Sequence, residues 1–83
     1  MKVKIELFGA ARDFSDQSLL ELDLGQKTTI KDIRNKIIQY VDQKFNGNEN
    51  YKKIVNSSAF CSEKNNIVSD NYKITNNEKI GII

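Results

Sequence analysis

The chain has 83 residues, of which 39% are hydrophobic, and a formal net charge of +2. This length supports one small core, so we predict a single domain over residues 1–83, and the apolar content is too high for a disordered chain. The 13 basic and 11 acidic residues are mixed along the sequence, which argues against a nucleic-acid-binding face, where Lys and Arg concentrate.

The sequence gives no sign of a membrane segment or of an oxidising compartment. No apolar run approaches the roughly 18 residues that a membrane span needs, and the alternating N-terminus is unlike a signal peptide. The single cysteine, Cys61, has no partner in the chain for a disulfide, which fits a reducing environment. We therefore expect a cytoplasmic protein that binds neither nucleic acid nor membrane.

The first predicted elements form a β-hairpin. Charged and apolar residues alternate over Lys2–Phe8, and a period of two indicates a half-buried strand. The segment Gly9–Phe14 indicates a tight turn after the first strand, with one turn of helix. Alternation returns over Ser18–Leu24, which predicts a second strand pairing back on the first.

A helix over Ile30–Phe45 is the strongest prediction. Thr29 is placed to cap its first turn, with Asp32 near the positive end of the helix dipole, and Asn46-Gly47 is a good left-handed stop. Polar residues, Arg34 among them, occupy the rest of the circumference. One stripe of the helix is apolar: Ile30, Ile33, Ile37, Ile38, Val41 and Phe45.

The remaining segments complete a mixed sheet. We predict a short helical turn at Tyr51–Val55 and strands at Ser58–Ser62, Ile67–Val68 and Lys79–Ile83. A hairpin, one main helix and further strands in this order predict an α+β fold of the β-grasp, or ubiquitin-like, type, with the helix packed across one face of the sheet. The other face must then meet water or a partner.

The chain lacks the residues of common catalytic sites. Without histidine, Ser-His-Asp and Cys-His arrangements are impossible. One cysteine is too few for a four-thiolate iron–sulfur cluster, and the four glycines are too scattered for a phosphate-binding loop. Cys61 lies among strand-forming residues and is interpreted as a small hydrophobe. We therefore predict no catalytic residue, no bound cofactor and no metal site.

Phe8 breaks the alternation of its strand and has two interpretations. Either the strand ends at Leu7 and Phe8 tucks under the domain, or Phe8 is an exposed aromatic on the open face. The last strand favours the second, because Ile80 and Ile82 facing the core would turn Gly81 and Ile83 outward. With Ile67 from the short strand, an exposed apolar patch would result, and such patches usually mark interfaces.

Two segments together resemble the small subunit of molybdopterin synthase. "KIELFGAARDF" (Lys4–Phe14) is similar to the first strand and turn of that family, including its Phe, small residue and Arg. "YKITNNEKIGII" (Tyr72–Ile83) is similar to its turn and final apolar strand. Either piece alone is weak, but both at this length and spacing are fairly specific.

The resemblance implies a sulfur carrier in molybdenum cofactor biosynthesis. Members of the family have a β-grasp fold and carry sulfur as a thiocarboxylate on a C-terminal Gly-Gly. An adenylylating, E1-like enzyme activates that glycine with ATP, and the tail then enters the large subunit, where sulfur passes to a pterin precursor. The chain would be the non-catalytic donor subunit of this sulfurtransferase. The resemblance places its partner interface at Phe8, Ile67 and Ile83, with Arg12 matching the family arginine.

These 83 residues depart from the family in one respect, because they contain no Gly-Gly. We expect truncation of a tail beyond Ile83 rather than its natural absence, and sequencing beyond Ile83 would separate the two. Two alternatives stay open. A related ubiquitin-like carrier for thiazole synthesis, tRNA thiolation or protein conjugation would need the same Gly-Gly, whereas a tailless β-grasp domain would act as a protein-binding module.

Overall fold

The computed structural model describes all residues from Met1 to Ile83. A 3₁₀ helix spans Gly9–Phe14. The other elements, in chain order, are β1 Lys2–Leu7, β2 Leu19–Asp23, α1 Ile30–Lys44, α2 Glu49–Ser57, β3 Phe60–Cys61, β4 Ile67–Val68 and β5 Lys79–Ile82. None of the helices is long and apolar enough to cross a bilayer.

The strands form one mixed five-stranded sheet in the order β2-β1-β5-β3-β4. β1 pairs antiparallel with β2 as the predicted hairpin and parallel with β5, and β3 runs antiparallel to both β5 and β4. Parallel pairing of β1 with β5 requires a crossover, which α1 supplies on one face of the sheet. The fold is therefore α+β of the β-grasp type, which confirms the fold prediction.

The core lies between α1 and the inner face of the sheet. Alternate residues of the strands point inward, and one stripe of α1 meets them. Ile33, Ile37 and Val41 are fully buried, so the predicted phase of the helix is confirmed. Burial of such side chains is the main source of stability in a chain of this size.

Local signals set both ends of α1. The Thr29 hydroxyl accepts a hydrogen bond from the Asp32 N–H, and the Asp32 carboxylate accepts one from the Thr29 N–H, forming a capping box. At the other end the predicted boundary is one residue too long, because Phe45 caps the helix instead of continuing it. Asn46 and Gly47 follow with positive φ angles of 53° and 69°, which end the helix as predicted.

Two predicted elements have different lengths in the structure. The turn predicted at Tyr51–Val55 belongs to the nine-residue helix α2, which Asn48 caps by accepting from the Tyr51 N–H. Its stability comes from packing, since Val55 is fully buried against the core. The strand predicted at Ser58–Ser62 shortens to β3, because the chain turns at Ser62, whose N–H donates to the Asn66 carbonyl.

Arg34 lies on the polar side of α1 yet is largely buried. Its guanidinium donates to the main-chain oxygens of Val55 (2.6 Å) and Ser58 (3.0 Å) at the end of α2 and pairs with Asp70 at 2.9 Å. A cation near a helix C-terminus is favourable, because the last carbonyls lack partners. Arg34 therefore fastens α2 and the Asp70 loop onto α1.

Candidate functional site

The face of the sheet opposite α1 is free of helices, and strand register shows which side chains share it. Glu6 in β1 is level with Gly81 in β5, Gly81 with Cys61 in β3, and Cys61 with Ile67 in β4. Residues in register across neighbouring strands point to the same face. Because the residues next to Glu6 and Gly81 along their strands point into the core, this row lies on the open face.

A second row, at the next level of the open face, is apolar. The Phe8 N–H donates to the Ile82 carbonyl at 3.2 Å and so extends the pairing of β1 with β5. Ile83 and Ala59 exchange N–H···O bonds of 2.9 and 3.0 Å, which extends the pairing of β5 with β3. Phe8 is 42% exposed and Ile83 50% exposed, so the interpretation that tucks Phe8 under the domain is wrong.

Gly81 points to the open face, as expected, and the Phe8 ring covers it there. A Cβ atom at Gly81 would lie 3.2 Å from Cε2 of Phe8, closer than side chains normally approach. The missing side chain is therefore what lets the Phe8 ring lie over β5. A glycine in a strand often marks such a close approach, and here it fixes the ring as one wall of a depression.

The depression has a volume of about 430 Å³ and runs along β5. Its middle is formed by Gly81 and Cys61, and the apolar end by Phe8 and Ile83. The other end is polar, with Glu6 and Lys79 paired at 3.8 Å. The complete lining is Glu6, Phe8, Cys61, Ser62, Glu63, Asn65, Lys79, Gly81 and Ile83.

The structure brings together two of the four predicted interface residues. Phe8 and Ile83 line the depression, whereas Ile67, 70% exposed, lies beyond Cys61 toward the β4 edge and outside the lining. Arg12 is exposed on the 3₁₀ helix, also outside the lining, and takes part in none of the four ion pairs. The assignment of all four to a partner interface stays a prediction.

One exposed apolar residue of this face escaped sequence analysis. Leu19 is 38% exposed and lies level with Glu6 on the edge strand β2. The signal was present, because Leu20, Leu22 and Leu24 form the inward stripe and an adjacent leucine must point outward. The apolar part of the open face is therefore wider than the predicted patch.

Glu78 is a second residue that sequence analysis missed. The residue is only 5% exposed. Its carboxylate accepts hydrogen bonds from the Tyr72 hydroxyl (2.9 Å) and from the N–H groups of Thr75 (3.0 Å) and Glu63 (3.3 Å). Burial, the largest single effect, raises the pKa of Glu78. The hydrogen bonds together outweigh it and hold that pKa below its ordinary value. Glu78 thus fastens Glu63, a wall of the depression, to the start of β5.

We expect Glu78 to stabilise the fold above pH 4.5, the ordinary pKa of this group. Because its pKa is lower in the folded chain, this contribution is lost as the pH falls below 4.5 through the folded pKa. Glu78→Gln should cost about 1–3 kcal/mol at pH 7, since it leaves buried donors poorly matched. Urea unfolding at pH 7 and at pH 3 checks this. If the free energy of unfolding changed equally between pH 7 and pH 3 in the original chain and in Glu78→Gln, the prediction would be wrong.

The open face carries one free thiol together with apolar and charged side chains. Cys61 is a half-buried free thiol in the middle of the depression. No three His, Cys, Asp or Glu side chains lie close enough together to hold a metal ion. What the face offers is an apolar end, a glycine-lined middle and a charged end, an arrangement suited to part of another protein.

Comparison with known proteins identifies the fold and leaves the family open. No known protein family matches the sequence, and no curated protein is similar to it. The crystal structure of SAMP1 from Haloferax volcanii is similar, with a TM-score of 0.69 and 7% sequence identity. The match covers 100% of this chain and 93% of that one. At this identity the likeness shows a shared β-grasp fold.

Proposed function

We propose that this chain is a ubiquitin-like sulfur carrier, the small subunit of a molybdopterin synthase, which acts in the cytoplasm. The observation that carries the proposal is the depression beside β5, whose apolar end is formed by Phe8 and Ile83. Exposed apolar groups of this size on a small domain are typical of a protein interface. The fold shared with SAMP1 and the family-like segments Lys4–Phe14 and Tyr72–Ile83 support the same reading.

In the proposed role the chain presents its C-terminal extension and leaves the chemistry to its partners. An adenylylating enzyme would use ATP to activate a terminal glycine, and the large subunit would receive the sulfur. Ile83 leaves the sheet next to the depression, so a tail attached there would start beside the docked partner. Glycines suit such a tail, because a bare backbone can enter a narrow channel.

Protein conjugation is the second candidate function, because it uses the same β-grasp fold that the chain shares with SAMP1. SAMP1 is a ubiquitin-like small archaeal modifier protein. A modifier would use the same fold and the same activated glycine but transfer its carboxyl group to an amine of another protein. The two functions therefore differ in the acceptor. Formation of covalent adducts with lysine side chains would favour the modifier, and sulfur transfer to a pterin precursor would favour the carrier.

Docking to a molybdopterin synthase large subunit from the same genome tests the proposal. We expect Phe8→Glu to weaken binding at least tenfold, because a charge would have to lose its water at the centre of the interface. Thermal unfolding should change little, since Phe8 is already 42% exposed. Gln39→Glu is the control, because Gln39 is exposed on α1, on the opposite side of the sheet from the open face, and this variant should bind nearly as well as the original chain.

Cys61 provides an independent readout of the same docking event. It is the only thiol in the chain and lies in the depression. A bound partner should slow its alkylation by iodoacetamide in proportion to the fraction of chain bound. Failure of the large subunit to bind, or binding that leaves the alkylation rate of Cys61 unchanged, would overturn the proposed function.

A further inference from the structure

The charged end of the depression carries a net negative charge on a chain that is net positive. Glu6 and Glu63 line this end together with one cation, Lys79, whereas the whole chain carries +2. Lys4 is level with Lys79 on the neighbouring strand but does not line the depression. Within the depression itself, the unbalanced charge is that of a carboxylate.

That carboxylate charge is available to a ligand. Glu63 takes part in none of the four ion pairs of the chain. Glu6 pairs with Lys79 at 3.8 Å, and both side chains are well exposed, at 37% and 49%. A pair at this distance and exposure contributes little to stability. A cation from a partner could therefore replace Lys79 beside Glu6 at small cost.

The rest of the depression suits an aliphatic chain that ends in a cation. Cys61 gives the middle a small side chain, and the Phe8 ring, which covers Gly81, adds an aromatic face beside it. Gly81 is level with Glu6, and Ile83 lies two residues further along β5, a rise of about 7 Å. Lysine and arginine cover apolar surface with their stems while the charged head reaches a polar partner.

We propose that this depression receives an arginine side chain of the docked partner, with its stem over Cys61 and against the Phe8 ring and its guanidinium between the carboxylates of Glu6 and Glu63. Arginine fits better than lysine, because its planar fork can bind two carboxylates at once and stack on an aromatic ring. The inference deepens the proposed function and rests on its docking face. It adds the chemistry by which the partner is recognised.

A short peptide tests the inference without the partner. Acetyl-Leu-Arg-amide, added to the ¹⁵N-labelled chain, should shift the NMR signals of the Gly81, Ser62 and Glu63 amides with a millimolar dissociation constant, about −4 kcal/mol by conversion. The acidic peptide acetyl-Leu-Glu-amide should leave these NMR signals unshifted. The double variant Glu6→Gln/Glu63→Gln should weaken binding of the arginine peptide about tenfold, the effect of two exposed ion pairs. Glu21→Gln, also exposed on β2 but outside the depression, is the matched control.

Equal binding of the acidic peptide, shifts that survive the double variant, or no shift with the arginine peptide would each overturn the inference. The same variants, tested against the large subunit, separate this failure from that of the proposed function. If the original chain binds the large subunit and Phe8→Glu weakens that binding while the double variant does not, the arginine inference fails and the carrier proposal stands. If the original chain does not bind the large subunit, the carrier proposal fails, and the peptide result alone decides the inference.

Discussion

Replacing Ile37 by alanine is expected to lower the free energy of unfolding by about 2–4 kcal/mol. Ile37 is fully buried in the middle of α1, where the helix crosses the sheet. Removing three carbon atoms there loses their transfer free energy and leaves a cavity that close-packed neighbours fill only in part. Domains of this kind are stable by about 5–15 kcal/mol in total, so the loss is a large share.

Urea unfolding followed by circular dichroism measures the effect of Ile37→Ala. Gln39→Ala is the matched control, because Gln39 lies in the same helix but is exposed, and its effect should stay within about 0.5 kcal/mol. A loss below about 0.5 kcal/mol for Ile37→Ala would place that side chain at the surface and contradict the phase of α1.

The largest expected effect on activity concerns the C-terminal extension. The polypeptide that ends at Ile83 should dock to the large subunit yet acquire no sulfur, whereas the same polypeptide extended by a family-type tail ending in Gly-Gly should acquire it. The reason is that the carboxyl group of Ile83 cannot extend from the sheet into the active site of a partner enzyme. The main-chain oxygen and N–H of Ile83 are both hydrogen-bonded to Ala59 at the end of the sheet, and the β-branched side chain crowds the carboxyl carbon.

Both polypeptides should be incubated with the adenylylating enzyme, ATP and a sulfur donor, then weighed by intact-mass spectrometry. Exchange of one carboxyl oxygen for sulfur gives a distinct mass increase, expected for the extended polypeptide alone. Urea unfolding of the two should agree, because the tail lies outside the core. A thiocarboxylate on the polypeptide that ends at Ile83 would refute this explanation. Its absence from the extended polypeptide would count against the carrier proposal itself.

The parts of the fold that sequence predicted well are those with a local cause. The period of α1 and its capping box need only neighbours along the chain, and so does the alternation in β1. The length of α2 escaped prediction, because its sequence favours a helix weakly and the core packing of Val55 supplies the rest. Sequence placed Arg34 on the polar side of α1 but did not predict its burial, because the carbonyls it binds come from residues more than twenty positions away.

The candidate site also has features that sequence predicts, because their cause is local, and features that depend on distant parts of the chain. Exposure of Phe8 and Ile83 was the interpretation that the direction of successive side chains along the last strand favoured, and that direction is a local property. Their convergence on one depression depends on the parallel pairing of β1 with β5 and on the space left by Gly81, neither of which a single segment reveals. Glu78 is the clearest case. A glutamate at the start of a strand normally faces water, and only the closing of three loop donors around it makes it buried.

The position of β5 has a consequence for how the chain reaches this fold during synthesis. β5 is the central strand, between β1 and β3, although it follows the other four strands along the chain. Until residue 82 has left the ribosome, β1 can pair only with β2, and one of its edges remains open to other chains. Contacts between the two ends of a sequence also close slowly. The nascent chain therefore passes through a stage with a hairpin and a helix but without the central strand, and the sheet is completed only when β5 has emerged.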